Sequence, residues 1–250
     1  MAIALLRHFA RPVAFVRARL SAHSYLGLQL LVGAVVLTGF AWLFGGIAED
    51  VVTGDSITVL DVQLAQWFHT HASPALTRVM QVLSDLNGVL AIAVLTALAA
   101  ALLASRRSWT WLLVLVLVVP GGMLVNSLMK LAFHRARPSF DHPLVVLNTF
   151  SFPSGHVAGA TLFYGFLVAF FVAHSGDWHR KVMALLAALA MIALVALSRM
   201  YLGAHYLSDV LAAFAEGSAW LTLCVIGVQT WTLQRGDASL RNVGALPHRP

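Results

Sequence analysis

Three short segments carry residues whose types and spacing suit chemistry on an anion: "KLAFHRARP" (Lys130–Pro138), "SFPSGH" (Ser151–His156) and "SRMYLGAHYLSD" (Ser198–Asp209). In the last, His205 and Asp209 stand four residues apart, which places both side chains on one face of a helix. A carboxylate so placed holds the imidazole in one tautomer and stabilises its cation, leaving the other ring nitrogen free to attack phosphorus. His156 is a candidate general acid for the departing oxygen. Lys130, Arg137 and Arg199 supply positive charge, the arginines as planar forks matched to phosphate oxygens and the lysine as a point charge. Ser154 and Gly155 precede a long apolar run, where free N–H groups and the dipole of a starting helix favour an anion. Gly155 also lets that backbone come close without a side chain in the way. The set suits phosphoryl transfer, in which positioning and charge stabilisation do most of the catalysis.

Taken singly, each segment has a plainer reading: interfacial cations on lipid phosphates, helix-start punctuation, a structural His–Asp pair. Three such segments meeting at one face are harder to explain that way. The set calls for no metal and no cofactor, because Asp209 is the only acid within it; Glu49 and Asp50 lie in a different loop.

The elements that must position these residues are membrane helices. The 250 residues are 60% hydrophobic and only 10% charged, against about 25% charged in soluble domains. Apolar runs at Leu26–Ile47, Leu86–Ser105, Ser108–Met129, Val157–Ala173, Val182–Leu197 and Val210–Leu233 predict six transmembrane helices. Period-two alternation, the mark of a membrane barrel, is absent. The fold class is therefore all-α integral membrane, organised as a basic interfacial segment (1–25), a six-helix domain (26–234) and a cytoplasmic tail (235–250).

With the N-terminus inside, eleven of the 16 Lys and Arg residues fall in inner segments and five in outer ones, as the positive-inside rule requires. Both termini are then cytoplasmic and all three segments face outward. The basic charge is explained by topology, with no need for nucleic acid as a partner. Between the first two spans, "DVQLAQWFHTHASPALTRVMQVLSD" predicts two short amphipathic helices on the outer surface, broken at Ser73-Pro74. Lacking catalytic spacing, they read as a packed connector. Cys224 is the sole cysteine, so no internal disulfide forms.

The three segments resemble the signature motifs of the type 2 phosphatidate phosphatase superfamily: K-x6-R-P, then P-S-G-H, then S-R-x5-H-x3-D, with every defined position matched. The resemblance implies Lys130, Arg137, Ser154, Gly155 and Arg199 as phosphate ligands, His205 as nucleophile, Asp209 as its orienter and His156 as acid and then base. His134, Arg135, His142 and Glu216 lie outside the pattern and receive no catalytic role; Glu216 is placed facing the bundle interior. The superfamily also holds soluble vanadate-binding haloperoxidases, which six apolar spans argue against.

The compact layout resembles bacterial members of the plasma (inner) membrane that act on undecaprenyl diphosphate. That implies a metal-independent lipid phosphate phosphatase whose partners are the membrane and a lipid phosphate or diphosphate. Phosphatidylglycerophosphate, phosphatidate and lipid A phosphates are the alternative substrates. A lipid or ion transporter without hydrolytic activity is the alternative of a different class.

Overall fold

A computed structural model describes residues 24–145 and 147–244, and all regular structure among them is helical. The basic segment expected at 1–25 lies outside the described residues up to position 23, as do residues 245–250 of the expected tail. Eight helices follow in order: α1 Ser24–Thr53, α2 Ser56–Thr70, α3 Pro74–Asp85, α4 Val89–Ser105, α5 Trp109–Phe133, α6 Gly155–His174, α7 Trp178–Tyr201 and α8 Leu207–Gly244. The last continues through position 235, where the tail was expected to begin.

Five of these helices (α1, α5, α6, α7 and α8) are long and apolar enough to cross a membrane. The expected second span differs from its reading. α4 has only 17 residues, about 26 Å at the helical rise, short of a ~30 Å hydrocarbon core. It becomes a sixth span only when joined to α3, from which it bends by 40°. The bend lies at Asn87-Gly88. Asn87 and Gly88 donate backbone bonds back to Ser84 and Asp85, and the Asn87 side chain donates to the Leu83 carbonyl at 3.0 Å while accepting from Tyr164 Oη at 2.8 Å. The short helices α2 and α3 form as the periodicity predicts. Pro74 begins α3, where a missing N–H costs nothing.

α6 and α8 are the most enclosed spans. α6 packs against α5, α7 and α8, while α8 also packs against α1 and α5. One apolar cluster joins Leu115, Val118, Leu162 and Phe166; another, nearer the motif-bearing ends, joins Val157, Val195, Val210 and Ala213. The outer faces expose Leu90, Leu98 and Leu124, as lipid-facing surfaces do. Trp109 and Trp178, both exposed, begin α5 and α7 at the same end of the bundle, as an interfacial belt would.

Where α5 meets α6 and α8 there is no room for a side chain. A Cβ on Gly122 would stand 2.6 Å from Leu162 Cδ1 and 2.9 Å from Trp220 Cδ1. Gly122→Val should therefore destabilise the bundle by about 1–3 kcal/mol through overpacking. Thermal unfolding in detergent should show a lowered midpoint; an unchanged or raised midpoint would contradict this packing.

Candidate active site

All three motifs sit at one end of the bundle, on the last turns of α5 and α7, the first turns of α6 and α8, and the connections between them. α5 ends when His134 takes a left-handed conformation (φ 49°) that turns the chain out of the helix. The following segment returns to pair Ser151 N–H with the Arg135 carbonyl at 2.8 Å. Phe152, fully buried, anchors the second motif against Phe133 and Phe44. Ser154 N–H then donates to the Asp209 carbonyl at 3.0 Å, joining the second motif to the third through the backbone.

Asp209 is the hub of the cluster and is wholly buried. Its Oδ2 accepts from Tyr206 N–H at 2.8 Å and from Ser151 Oγ, and it lies 3.4 Å from His205 Nδ1. Its Oδ1 accepts from Arg135 Nη1 at 2.7 Å. His205, 2% exposed, thus turns Nδ1 toward the carboxylate and Nε2 toward Arg137, whose Nη1 is 3.2 Å away. That is the orientation expected of a nucleophile carrying its proton on Nδ1. Burial, with Arg137 and Arg199 nearby, lowers the His205 pKa to about 4 even though Asp209 opposes the shift.

The phosphate-ligand candidates converge, but not all are free. Lys130 Nζ donates to the carbonyls of Phe150 (3.0 Å), Ser151 (3.3 Å) and Pro153 (2.6 Å), which engages all three of its donors in holding the second motif. Arg137 bonds Thr149, Phe150 and Ala204, and burial lowers its pKa. Arg199 is different. It is 3% exposed, and its Nη1 donates to Ser84 Oγ at 2.5 Å, while Nε and Nη2 have no partner among the described residues. Ser154 Oγ, fully buried at the N-cap of α6, likewise has no partner among the described residues.

Each such orphan costs about 1–3 kcal/mol, and together they give this end of the bundle unused donors of the kind that suit an anion. A Cβ on Gly155 would make only ordinary contacts, 3.5 Å from Asn126 Oδ1 and 3.8 Å from Lys130 Cε, so packing does not demand glycine there. His156, on the first turn of α6, points toward the α3–α4 junction, its Nε2 3.7 Å from where a Cβ on Gly88 would stand. It has no hydrogen-bond partner among the described residues and sits in the field of Arg199, His205, Arg137 and Lys130.

Three residues of this site escaped the sequence reading. Arg135 pairs with Asp209 and, through Nη2 at 2.8 Å, with Asp61 of α2. Burial would lower its pKa, but the two carboxylates outweigh that and raise it. Ser84 of α3 holds Arg199. The segment read as a passive connector therefore supplies two groups to the cluster. The signals were faint: a lone acid inside the apolar pattern of α2, and a second arginine two residues before Arg137. His134 and His142 are not in the cluster. Glu216 faces the interior, as expected, and accepts from Asn126 Nδ2 at 3.0 Å.

A profile of the PAP2 superfamily matches residues 109–233, half of the chain and all three motifs. The chain belongs to the PAP2 superfamily. It is 40% identical over 114 residues to phosphatidylglycerophosphatase B of Bacillus subtilis (strain 168), covering 45% of this chain and 55% of that protein. The match thus spans about half the length of that curated relative. Among solved structures, the transmembrane PAP2-type phosphatidylglycerolphosphate phosphatase from Bacillus subtilis superposes with a TM-score of 0.65, at 29% identity over 81% of this chain and 96% of that one. Aquifex aeolicus LpxE follows with a TM-score of 0.51, at 21% identity over 66% and 94%, a likeness of fold alone. The PAP2 match begins at α5, so Asp61 and Ser84 lie outside it.

The depressed His205 pKa gives a direct check. A free imidazole near 6.5 would be largely protonated at pH 5.5, whereas His205, with a pKa of about 4, stays neutral. In an NMR titration of histidine-labelled protein, the signal missing from His205→Asn should not move between pH 8 and 5.5. A midpoint near 6.5 would contradict the site's electrostatics.

Proposed function

We propose that this PAP2 protein is a metal-independent lipid phosphate phosphatase acting through a phosphohistidine on His205. The observation that carries the reading is the pair of unpartnered Arg199 nitrogens beside an imidazole whose Nε2 faces away from its orienting carboxylate. The phosphate is bound by Arg199, Ser154 Oγ and the N–H groups that open α6, with Arg137 and Lys130 adding charge. His205 Nε2 forms a bond to phosphorus as the bond from phosphorus to the lipid oxygen breaks. That oxygen leaves with the electron pair and takes a proton from His156. Water then attacks phosphorus and gives a proton to His156, while the P–N bond breaks and returns its electrons to His205. The sum is one water consumed, with the dephosphorylated lipid and inorganic phosphate released.

The curated relative and the solved structure from Bacillus subtilis, both named for phosphatidylglycerophosphate, favour that lipid as substrate over the undecaprenyl diphosphate that the chain's compactness suggests. Phosphate release from phosphatidylglycerophosphate, undecaprenyl diphosphate, phosphatidate and lipid A phosphate, each in excess chelator, should be fastest for the first. Undecaprenyl diphosphate turning over fastest would reverse the assignment, and magnesium-dependent recovery would remove the mechanism. His205→Ala should abolish both turnover and labelled phosphoprotein. His156→Ala, given nitrophenyl phosphate, whose leaving group needs no proton, should give a burst and stall with label on His205. A label on His156 would exchange the two roles.

Six spans, counting α3–α4 as one, and an extracytoplasmic site complete the reading. Arg106, Arg107, Arg180 and Lys181 lie at helix ends opposite the motifs, which supports this orientation. Asp141→Cys, in the exposed loop between the first two motifs and in a Cys224→Ser background, should react with an impermeant thiol reagent on intact cells. Reaction only after permeabilisation would invert the topology.

A further inference from the structure

Asp61 is 1% exposed and belongs to α2, outside every signature motif and outside the matched PAP2 region. Yet both of its oxygens are engaged at the catalytic end of α8. Oδ1 accepts from Ser208 N–H at 2.9 Å; Oδ2 accepts from Ser208 Oγ at 2.5 Å and from Arg135 Nη2 at 2.8 Å. The same guanidinium donates through Nη1 to Asp209 Oδ1 at 2.7 Å and to Ser208 Oγ at 2.6 Å, and it lies 4.5 Å over the Tyr206 ring. One rigid fork thus spans two buried carboxylates, and Asp61 also ties down the first turn of the helix that carries Asp209.

We infer that Asp61 is a positioning residue for catalysis, acting through Arg135 to set the place and charge of Asp209. The inference rests on the reading of His205 as nucleophile. Attack by a neutral imidazole protonated on Nδ1 leaves a cationic phosphoimidazole, which the Asp209 carboxylate must stabilise. With Asp61 present, the charge of Arg135 is divided between two carboxylates. Without it, the whole guanidinium charge bears on Asp209 and the carboxylate stabilises the cation less. The fork would also lose the anchor that fixes its orientation. Outer partners of this kind typically alter activity by about 10–100-fold. Phosphate binding rests on Arg199, Ser154 and the α6 N-terminus, none of which touches Asp61, so the effect falls on kcat rather than KM.

The test uses the full-length protein in detergent, with dioctanoyl phosphatidate as soluble substrate and inorganic phosphate, a ground-state product anion, as binding probe. Asp61→Asn keeps the shape but removes the charge. It should lower kcat by about 10–100-fold and slow phosphoprotein formation, with KM and the inhibition constant of inorganic phosphate held within about threefold. In an Arg135→Met background the same change should cost less than about threefold, because the link to Asp209 is already cut. Wild-type kcat in Asp61→Asn would overturn the inference. So would equal losses in both backgrounds, or affinity for inorganic phosphate falling together with kcat, which marks a merely structural residue. Should Asp61→Asn not fold, Arg135→Lys keeps a cation but loses the fork and should show the same split; wild-type kcat there, or failure of both variants to fold, would overturn it. Phosphoprotein persisting in His205→Ala would instead remove the nucleophile reading and this inference with it. Intact phosphohistidine chemistry with an unaffected Asp61→Asn removes the inference alone.

Discussion

A carboxylate with no exposed surface must be saturated with donors or give up its charge. Asp209 meets that requirement by drawing on the whole end of the bundle: Arg135 from beyond α5, Ser151 from the second motif, and Tyr206 N–H and His205 from its own segment. No one element could supply this set, so the helix ends must converge before the site exists. The backbone bond from Ser154 N–H to the Asp209 carbonyl makes the same demand of α6. The apolar spans supply the cohesion, through small residues such as Gly122 and Gly165 that let helices approach closely. The carboxylate supplies the register in which they must meet.

The histidine follows from that hub. Its Nδ1 lies 3.4 Å from Asp209 and 3.5 Å from Ser151 Oγ, which orients the ring toward the carboxylate with long contacts. Lys130 plays a part the motif pattern does not suggest. Its ammonium closes three carbonyls of the second motif and thereby fixes where Ser154 and the α6 N-terminus point. Its charge still reaches His156, but its donors hold the second motif in place.

Much of this was legible in the sequence because it is local. Apolar runs report spans and the Ser73-Pro74 break reports the α2–α3 boundary. Four-residue spacing brings His205 and Asp209 together, but not on one helix face as expected, because α7 ends at Tyr201 and α8 begins at Leu207, which leaves His205 in the connection. The reading missed what is not local. Asp61 reaches Arg135 and Ser208 across 74 and 147 residues, and Ser84 reaches Arg199 across 115. Nothing in the periodicity of α2 or α3 separates a buried acid with a distant partner from one on a solvated face. The 40° bend between α3 and α4 was hidden for a related reason. An apolar run predicts burial in lipid, but Asn87 and Gly88 break the helix within it by bonding the chain to itself and to Tyr164.

The polar atoms of this membrane end divide into two kinds, and the division separates framework from function. Those of Asp61, Arg135, Ser151, Ser208 and Asp209 are bonded to one another at ordinary or short distances, as a low-dielectric interior requires. Arg199 Nε and Nη2 and Ser154 Oγ are also buried, but have no partner among the described residues. A fold under selection for stability alone would fill or satisfy the second kind, since two open guanidinium nitrogens are a standing penalty. They persist because the saturated cluster beside them is rigid enough to hold them apart. On the proposed reading, an entering phosphate recovers that penalty as binding energy beside His205.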